Sequence, residues 1–470
     1  MSHRGIQIVG SVHRRMFEGL LGSGLALFSR IFLQAAQVPL FLYYWGPVNY
    51  GEWLVLFSIP AYLALGDFGM GEAGANFIAR AVASGDVTQA RRIYSAVCVF
   101  VTGANMLLLI VAFVALGVLQ MQSHLGFQRI TGQELSFALG ALSVSVVLTL
   151  QAGTAYALLR AIGRYGDQQV ISGIVGIVEF FAIAVAISIR PQADAAAIAI
   201  ASVRLLLLIF LHFHVRHHAR AITQLHLKGI GANIRMLMGP SLAFMGFPVA
   251  NALLIQGYNI LIGVALGPTV LVVYAACATA ARALQAAMVA VYSILTPEAA
   301  ILLAKRKLRF LRNLHRAALA AIMPLLPILG LALFFFTVAI FPIWVQNKVE
   351  IDHAALATLI FINVVKISYY PSFAILSAAS SHKLFSMLWL CGALLSLLVS
   401  TFLSSLSEEI AVLLIPVAAT EIALFLFSTK RALWLLHDSP GALIANGPYH
   451  ALRFARLSWI RLRPSRGAPI

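Results

Sequence analysis

Long apolar stretches recur along the whole chain, and short polar connections separate them. A helix needs about 20 apolar residues to cross a bilayer. Twelve stretches meet this need, at 20–43, 49–67, 93–119, 135–159, 170–189, 194–213, 239–265, 268–294, 317–341, 354–376, 384–403 and 410–428. The pattern therefore predicts an all-α polytopic membrane protein with about twelve transmembrane helices and no room for a separate soluble domain.

The composition points the same way. The chain is 61% hydrophobic and 10% charged, whereas soluble domains are about 45–50% apolar and about 25% charged. A formal net charge of +17 could suggest a nucleic-acid partner. The Lys and Arg residues lie in the connections between apolar stretches, however, as topology determinants do. This distribution argues against nucleic-acid binding and for a lipid bilayer as the chain's surroundings.

The basic residues alternate strongly between the two sets of connections. One set, which includes both termini, holds 26 Lys and Arg residues, and the other holds only Arg129, Arg190 and Lys348. Connections rich in Lys and Arg face the cytoplasm. We therefore expect both termini in the cytoplasm and an even number of crossings.

An internal repeat with an offset of 221 residues runs through the chain. Gly46-Pro47 recurs as Gly267-Pro268, and Arg91 before the third stretch corresponds to Arg312 before the ninth. Six crossings in each half give both halves the same direction, so we predict two parallel six-helix repeats around a central cleft, a transporter architecture. The predicted parts are a bundle at 1–213, a basic linker at 214–238, a second bundle at 239–428 and a basic tail at 429–470.

Six ionisable residues fall deep inside the apolar stretches. Four are cations (Arg30, Arg204, Arg282 and Lys366) and two are acids (Glu179 and Glu421). Such residues are costly in a membrane and usually functional. The two acids cannot neutralise all four cations, so an excess of about two positive charges is expected, which a dianionic phosphate headgroup would balance. Arg suits phosphate because its planar fork donates two hydrogen bonds.

Other interpretations of these residues stay open. Single cations could pair with Glu179 or Glu421 and only hold helices together. Asp67 lies nearer the end of its stretch, as a cap or, alternatively, as a residue for proton or sodium coupling. Glu179 and Glu421 are also candidates for such coupling, and depth favours Glu179.

A histidine cluster raises a different class of function. His212, His214, His217 and His218 lie within seven residues, and membrane metalloenzymes use such boxes to hold iron. No second box occurs in the sequence, so we expect neither a metal site nor a cofactor, and we read the cluster as a basic segment near anionic headgroups.

The stretch from 22 to 95 resembles the start of a bacterial polysaccharide flippase of the MOP exporter superfamily. The resemblance lies in four pieces: a polar first helix with Arg30 and Gln34; a tight turn with Gly46, Tyr50, Gly51 and Trp53; an Asp67-Phe68-Gly69 end to the second helix; and Gly85-Asp86 before Arg91. The second half echoes it with Gly267-Pro268 and Tyr274.

The resemblance implies a substrate and a location. The substrate would be a polyprenyl-pyrophosphate-linked oligosaccharide repeat unit, moved across the cytoplasmic membrane of a bacterium by alternating access for surface polysaccharide synthesis. A polysaccharide polymerase and a chain-length regulator would be partners. The four deep cations match the family's cationic cavity by type and depth. The alternatives are a cation-coupled drug antiporter of the same superfamily and a histidine-box membrane metalloenzyme.

The charge bias predicts the side of each connection. Green fluorescent protein fused after residue 226 should fluoresce, because that connection is expected in the cytoplasm, and a fusion after residue 348 should stay dark. Alkaline phosphatase fused at the same positions should give the opposite activities. The same signal at both positions would contradict the predicted topology.

Overall fold

We examined a computed structural model, which describes residues 12–118, 127–130, 132–379, 381, 383–442, 445–446 and 449. The described residues form helices and short connections. The α-helices are α1 (Val12–Ala61), α2 (Met70–Ala83), α3 (Val87–Val118), α4 (Gly132–Ala161), α5 (Tyr165–Ile189), α6 (Ala193–Thr223), α7 (Ile230–Ala252), α8 (Tyr258–Ala265), α9 (Pro268–Ala304), α10 (Leu308–Trp344), α11 (His353–Ser368), α12 (Tyr370–Ala378), α13 (Lys383–Leu403) and α14 (Ile410–Leu435).

The helices confirm the all-α membrane fold. Within the described residues, ten segments are long and apolar enough to cross a membrane. One of them, Phe32–Ala83, is 52 residues long and contains the second predicted crossing together with the second half of the first. Helix α9 starts at Pro268, where the eighth predicted crossing starts, and is 37 residues long. About twelve crossings are therefore consistent with the structure.

The second predicted crossing ends at a helix break, as expected at residue 67. A 3₁₀ turn (Tyr62–Asp67) precedes the break, and α2 follows it. Phe68 and Gly69 adopt left-handed backbone conformations between the two, and the Asp67 carboxylate accepts a hydrogen bond from the Gly69 amide at 2.9 Å. Part of the predicted connection 78–92 is consequently helical, and Asp67 lies at a break inside a helical segment.

The predicted linker and tail also differ from the structure. Most of the linker 214–238 is helical, because α6 continues to Thr223 and α7 begins at Ile230. Helix α14 continues to Leu435, past the predicted start of the tail at 429. Residues 450–470 of the predicted tail lie outside the described residues.

The helix boundaries follow the 221-residue repeat. Helix α3 starts at Val87 and α10 at Leu308; α4 starts at Gly132 and α11 at His353. Both pairs are separated by the offset found for Gly46 and Gly267. Both of these glycines have positive φ, 69° and 95°, a conformation that glycine adopts without steric cost. The repeat is thus visible in the secondary structure as well as in the sequence.

Contacts divide the chain into two compact units, which we describe one at a time. Unit 1 comprises Met1–Ala275 and Pro342–Glu350, and unit 2 comprises Ala276–Phe341 and Ile351–Ile470. Helices α7 and α8 and the start of α9 belong to unit 1, as does the 342–350 connection. The division into two sequence bundles at the 214–238 linker stays a prediction about the repeat.

An aromatic cluster in unit 1 surrounds the kink of α1. The Phe41 ring stacks on Tyr50 with centroids 5.2 Å apart, and Trp45 meets Trp53 edge to face at 5.5 Å. All four side chains are buried. Gly51 faces Pro268 so closely that a Cβ would lie 2.0 Å from the Pro268 carbonyl oxygen. The Gly-x-x-x-Tyr-Gly-x-Trp pattern is therefore explained by packing.

A buried acid holds the neighbouring connection of unit 1. Glu52 is 1% exposed, and its carboxylate accepts hydrogen bonds from the backbone amides of Gln128, Arg129 and Ile130 at 2.6–3.1 Å. Hydrogen bonds to an ionised acceptor are stronger than neutral ones. Glu52 therefore has a structural role, which is to hold this connection in place.

The 342–350 connection satisfies backbone carbonyls of α1. A proline removes the amide that would bond the carbonyl four residues earlier, so Pro39 leaves the Ala35 carbonyl without its usual donor. The Trp344 indole N–H donates to that oxygen at 2.7 Å. Gly46 interrupts the helical ladder of α1 with a non-helical backbone, and just before it the Lys348 ammonium donates to the Leu42 carbonyl at 2.5 Å and to the Tyr43 carbonyl at 3.4 Å.

In unit 2 the end of α14 is fixed to the start of α10. The Arg316 guanidinium donates two hydrogen bonds to the Asp438 carboxylate, from Nε to Oδ2 at 2.9 Å and from Nη2 to Oδ1. Arg312 Nε donates to the Leu436 carbonyl at 2.9 Å. Burial acts to raise the pKa of Asp438, but the hydrogen bonds from Arg316 and from the Ser439 amide, together with nearby Arg312, hold it below its ordinary value.

The Pro39–Trp344 relation predicts a non-additive pair of substitutions. Trp344→Phe should lower the stability of the purified protein by about 1 kcal/mol, because it removes the donor to the Ala35 carbonyl. The same change in a Pro39→Ala background should cost clearly less, because an alanine at this position restores the amide. Thermal unfolding in detergent measures both costs.

Trp434→Phe is the matched control, since Trp434 is 62% exposed and should be tolerated in either background. Equal costs for Trp344→Phe with and without Pro39 would contradict the assigned role.

Candidate functional site

In unit 1, Arg204 on α6 meets Glu179 on α5. Arg204 Nε lies 3.1 Å from Glu179 Oε2, and Nη2 lies 3.2 Å from Oε1. The third nitrogen, Nη1, donates to the Ser145 hydroxyl on α4 at 3.2 Å. Both charged side chains are less than one-fifth exposed. The guanidinium is therefore held in a two-pronged ion pair that joins three helices.

This ion pair affects which roles can be assigned to Arg204 and Glu179. A charge inside a membrane needs a partner of opposite charge, and Arg204 and Glu179 are each other's partner. The structure thus favours the charge-pairing interpretation for Arg204 and Glu179. A substrate phosphate at Arg204 would have to compete with Glu179.

In unit 2, Glu421 on α14 is the deepest acid. It is 1% exposed, and the Tyr369 hydroxyl donates to its Oε2 at 2.8 Å. Lys366 is close enough to interact electrostatically with this carboxylate, while its ammonium also lies 5.0 Å from the centre of the Trp389 ring. Lys366 and Glu421 are therefore members of one polar cluster.

A second polar group of unit 2 lies on α9 and α12. The Gln285 amide donates to the Tyr370 hydroxyl at 2.9 Å, and the Tyr292 ring lies 5.9 Å from that of Tyr370. Arg282, one turn before Gln285 on α9, donates to the Thr279 hydroxyl at 3.1 Å. Arg282 is thus partly buried beside a row of hydrogen-bonding side chains.

Adjacent residues Tyr369 and Tyr370 connect these two groups of unit 2. They lie at the break between α11 and α12, followed by Pro371. Pro371 lacks the amide that would bond the carbonyl of Ile367 four residues earlier, which explains why the helix is interrupted there. The break directs one hydroxyl to Glu421 and the other to Gln285.

The remaining two predicted site residues are Arg30 and Asp67. The side chain of Arg30, in α1, lies outside the described residues, so its role stays a prediction. Asp67 caps the helix break before α2 and accepts the Gly69 amide, which favours the interpretation as a cap.

The histidine cluster lies near the end of α6. His214 Nε2 lies 3.4 Å from the Asp167 carboxylate on α5, and the His214 and His218 rings are 4.5 Å apart. Among the described residues, no three His, Cys, Asp or Glu side chains converge in a way that could hold a metal ion. The cluster gives no support to the metalloenzyme alternative.

Charge alone did not reveal the uncharged members of these clusters. Ser145, Gln285, Tyr369 and Trp389 were not singled out from the sequence, although each contacts a predicted site residue or its neighbour. The Tyr369-Tyr370-Pro371 run inside an apolar stretch was the available signal, because it combines two hydroxyls with a helix-breaking residue.

Comparisons with known proteins give a fold but no family. No protein-family profile matches the chain, and no curated protein matches it. Solved structures do. An inward-facing multidrug resistance MATE family transporter of the MOP superfamily is 13% identical with a TM-score of 0.67, covering 89% of this chain and 96% of that one.

Two further structures match with TM-scores of 0.60. The Vibrio cholerae MATE transporter VcmN is 16% identical over 91% of this chain and 97% of its own. A MOP superfamily transporter from Pyrococcus furiosus Vc1 (DSM3638), described as having a binding pocket of reverse polarity that suggests a different function, is 11% identical over 94% and 99%. The chain therefore has the fold of MOP superfamily transporters.

A charge exchange tests the Arg204–Glu179 pair. Arg204→Ala and Glu179→Ala should each destabilise the protein, by up to about 3 kcal/mol, because each leaves a partly buried charge alone. The exchanged double variant, Arg204→Glu with Glu179→Arg, should recover much of that loss. Unfolding of the four variants in detergent measures the coupling.

The more exposed pair Arg160–Glu72 (2.7 Å, with the Glu72 side chain 55% exposed) is the control, and its exchange should change stability less. Additive losses at Arg204 and Glu179 would show that the two residues act separately.

Proposed function

We propose that this protein is a transporter that moves an anionic, lipid-linked substrate across the membrane, specifically a polyprenyl-pyrophosphate-linked oligosaccharide repeat unit. The observation that carries the proposal is the charge balance of the membrane-spanning segments. Four cations and two acids lie deep in them. A pyrophosphate would supply the missing negative charge.

The contacts of the acids support an anionic rather than a cationic substrate. Glu179 is bound by Arg204, and Glu421 accepts from Tyr369 with Lys366 nearby. A carboxylate that is already engaged attracts a cationic substrate less strongly than one that faces an open cavity. Arg282 and Arg30 are the cations for which we propose direct substrate contact.

The hydrogen-bonding row beside Arg282 suits a sugar substrate. Gln285, Tyr370 and Tyr292 present amide, hydroxyl and aromatic groups on α9 and α12. Sugars are bound by such groups, since hydroxyls need donors and acceptors while the ring faces pack on aromatics. In this proposal Arg282 holds the phosphate and these neighbours contact the first sugar.

The second candidate function is a cation-coupled small-molecule antiporter. The likeness to MATE transporters favours it, since a multidrug resistance transporter is among the matching structures. Glu421, buried and hydrogen-bonded to Tyr369, would then be the residue for proton or sodium coupling. The described pocket of reverse polarity in the Pyrococcus furiosus protein supports the view that this fold also serves substrates of other charge.

Gene deletion separates the two candidates. Loss of a flippase should leave undecaprenyl-linked oligosaccharide accumulated in the inner leaflet and reduce surface polysaccharide, and a polymerase and chain-length regulator would act after it. Loss of an antiporter should raise drug sensitivity and leave surface polysaccharide unchanged. Normal surface polysaccharide without accumulation would contradict the first proposal.

Substitutions at Arg282 test the phosphate contact. Arg282→Ala should lower surface polysaccharide about tenfold or more at normal protein level, because a charge-assisted hydrogen bond contributes about 1.5–3 kcal/mol. Arg282→Lys should retain more activity, because it keeps the charge. Arg190→Ala, at an exposed position, is the control and should behave like wild type. Full activity of Arg282→Ala would contradict the assigned contact.

A further inference from the structure

A cavity of about 420 Å³ lies within unit 1, at the end of the helices that the charge bias places in the cytoplasm. It is enclosed by α3, α4, α6 and the start of the connection after α6. Ligand sites commonly measure about 300–1,000 Å³. The cavity is separate from the Arg204–Glu179 pair, and the proposed transport function does not use it.

The lining of the cavity combines apolar, neutral polar and basic side chains. Ala155, Leu211 and Val215 form an apolar wall, and His212 and Arg216 are the basic residues. The neutral polar residues of the lining are Tyr94, Cys98, Thr223 and Gln224. Leu211 and Val215 are almost completely buried, whereas His212 and Arg216 are exposed. A ligand that fits these walls has an apolar part and an anionic part.

The helix geometry keeps the nearest acid away from this lining. Asp167 binds Arg164 at 2.9 Å and lies 3.4 Å from His214. His214 is two positions from both His212 and Arg216, which places it about 200° around the helix from each. Arg216 makes no ion pair within the described part of the chain, so its charge is available to a ligand.

The cavity owes its shape to a bend and two hydrogen bonds. Ala219 in α6 has a non-helical backbone (φ −139°, ψ 40°). The connection that follows is held on α3, since Arg91 Nε donates to the Gln224 carbonyl at 2.8 Å and the Ser95 hydroxyl accepts the His226 amide at 2.9 Å. The space therefore belongs to the folded unit.

We infer that this cavity binds an anionic phospholipid of the inner leaflet. Arg216 and His212 would hold the phosphate, and the apolar wall of Ala155, Leu211 and Val215 would receive the beginning of the chain. Arg binds phosphate through two parallel hydrogen bonds, and clusters of basic residues at the membrane surface recruit anionic lipids.

Native mass spectrometry of the full-length protein in detergent tests the inference. The probes are phosphatidylglycerol, phosphatidylcholine and glycerol phosphate, which separate a charged lipid from a neutral one and from a soluble phosphate. Phosphatidylglycerol should bind best. Equal binding of glycerol phosphate would overturn the need for an apolar chain, and equal binding of phosphatidylcholine would overturn the need for net negative charge.

Two variants place the lipid in the cavity. Arg216→Ala should weaken phosphatidylglycerol binding about tenfold, as expected for loss of a charge-assisted hydrogen bond. Ala155→Leu should weaken it by occupying the space, without changing any charge. Thermal unfolding verifies that each variant is folded, and Ala155→Leu still tests the cavity if Arg216→Ala does not fold.

Arg220→Ala is the matched control. Arg220 lies one turn after Arg216 on α6 and is exposed, but it does not line the cavity. It should retain binding within about twofold of wild type. Equal losses for Arg216→Ala and Arg220→Ala, or unchanged binding in Ala155→Leu, would overturn the site.

Discussion

The need to give every backbone carbonyl a donor inside an apolar layer shapes unit 1 more than any other constraint. A hydrocarbon layer offers no water to an unpaired carbonyl, yet α1 contains Pro39, which removes an amide from its ladder, and a kink at Gly46, which interrupts the ladder. The indole of Trp344 and the ammonium of Lys348 supply the missing donors. The connection 342–350 is thereby fixed on α1, and this explains why its contacts assign it to unit 1.

The same constraint applies to charged side chains, and each unit satisfies it differently. Unit 1 pairs Arg204 with Glu179 in a two-pronged geometry that also recruits Ser145. Unit 2 gives Glu421 a neutral donor, the hydroxyl of Tyr369. Such arrangements leave the carboxylates satisfied inside their own units.

Interruptions of helices supply the groups that a continuous helix could not. The break at Asp67, Phe68 and Gly69 frees an amide that Asp67 accepts. The break at Tyr369 and Tyr370 points two neighbouring hydroxyls to different partners. Because a regular helix bonds its own backbone, side chains of adjacent positions diverge by about 100°, and an interruption relaxes this limit. Polar clusters inside an apolar fold are therefore found at such points.

The sequence by itself determined the class of protein, the approximate crossings and the repeat, because apolar length and the Lys and Arg bias are local properties of the chain. The observed starts of α10 and α11 follow those of α3 and α4 by the same offset of 221 residues. The sequence gives the number of charged residues deep in the apolar stretches, but it does not show which residues they pair with. Residues 25 positions apart, such as Glu179 and Arg204, meet only when α5 and α6 pack together, and Tyr369 meets Glu421 across 52 positions. Only the tertiary structure decided which charges are paired, since that depends on which helix faces pack against each other.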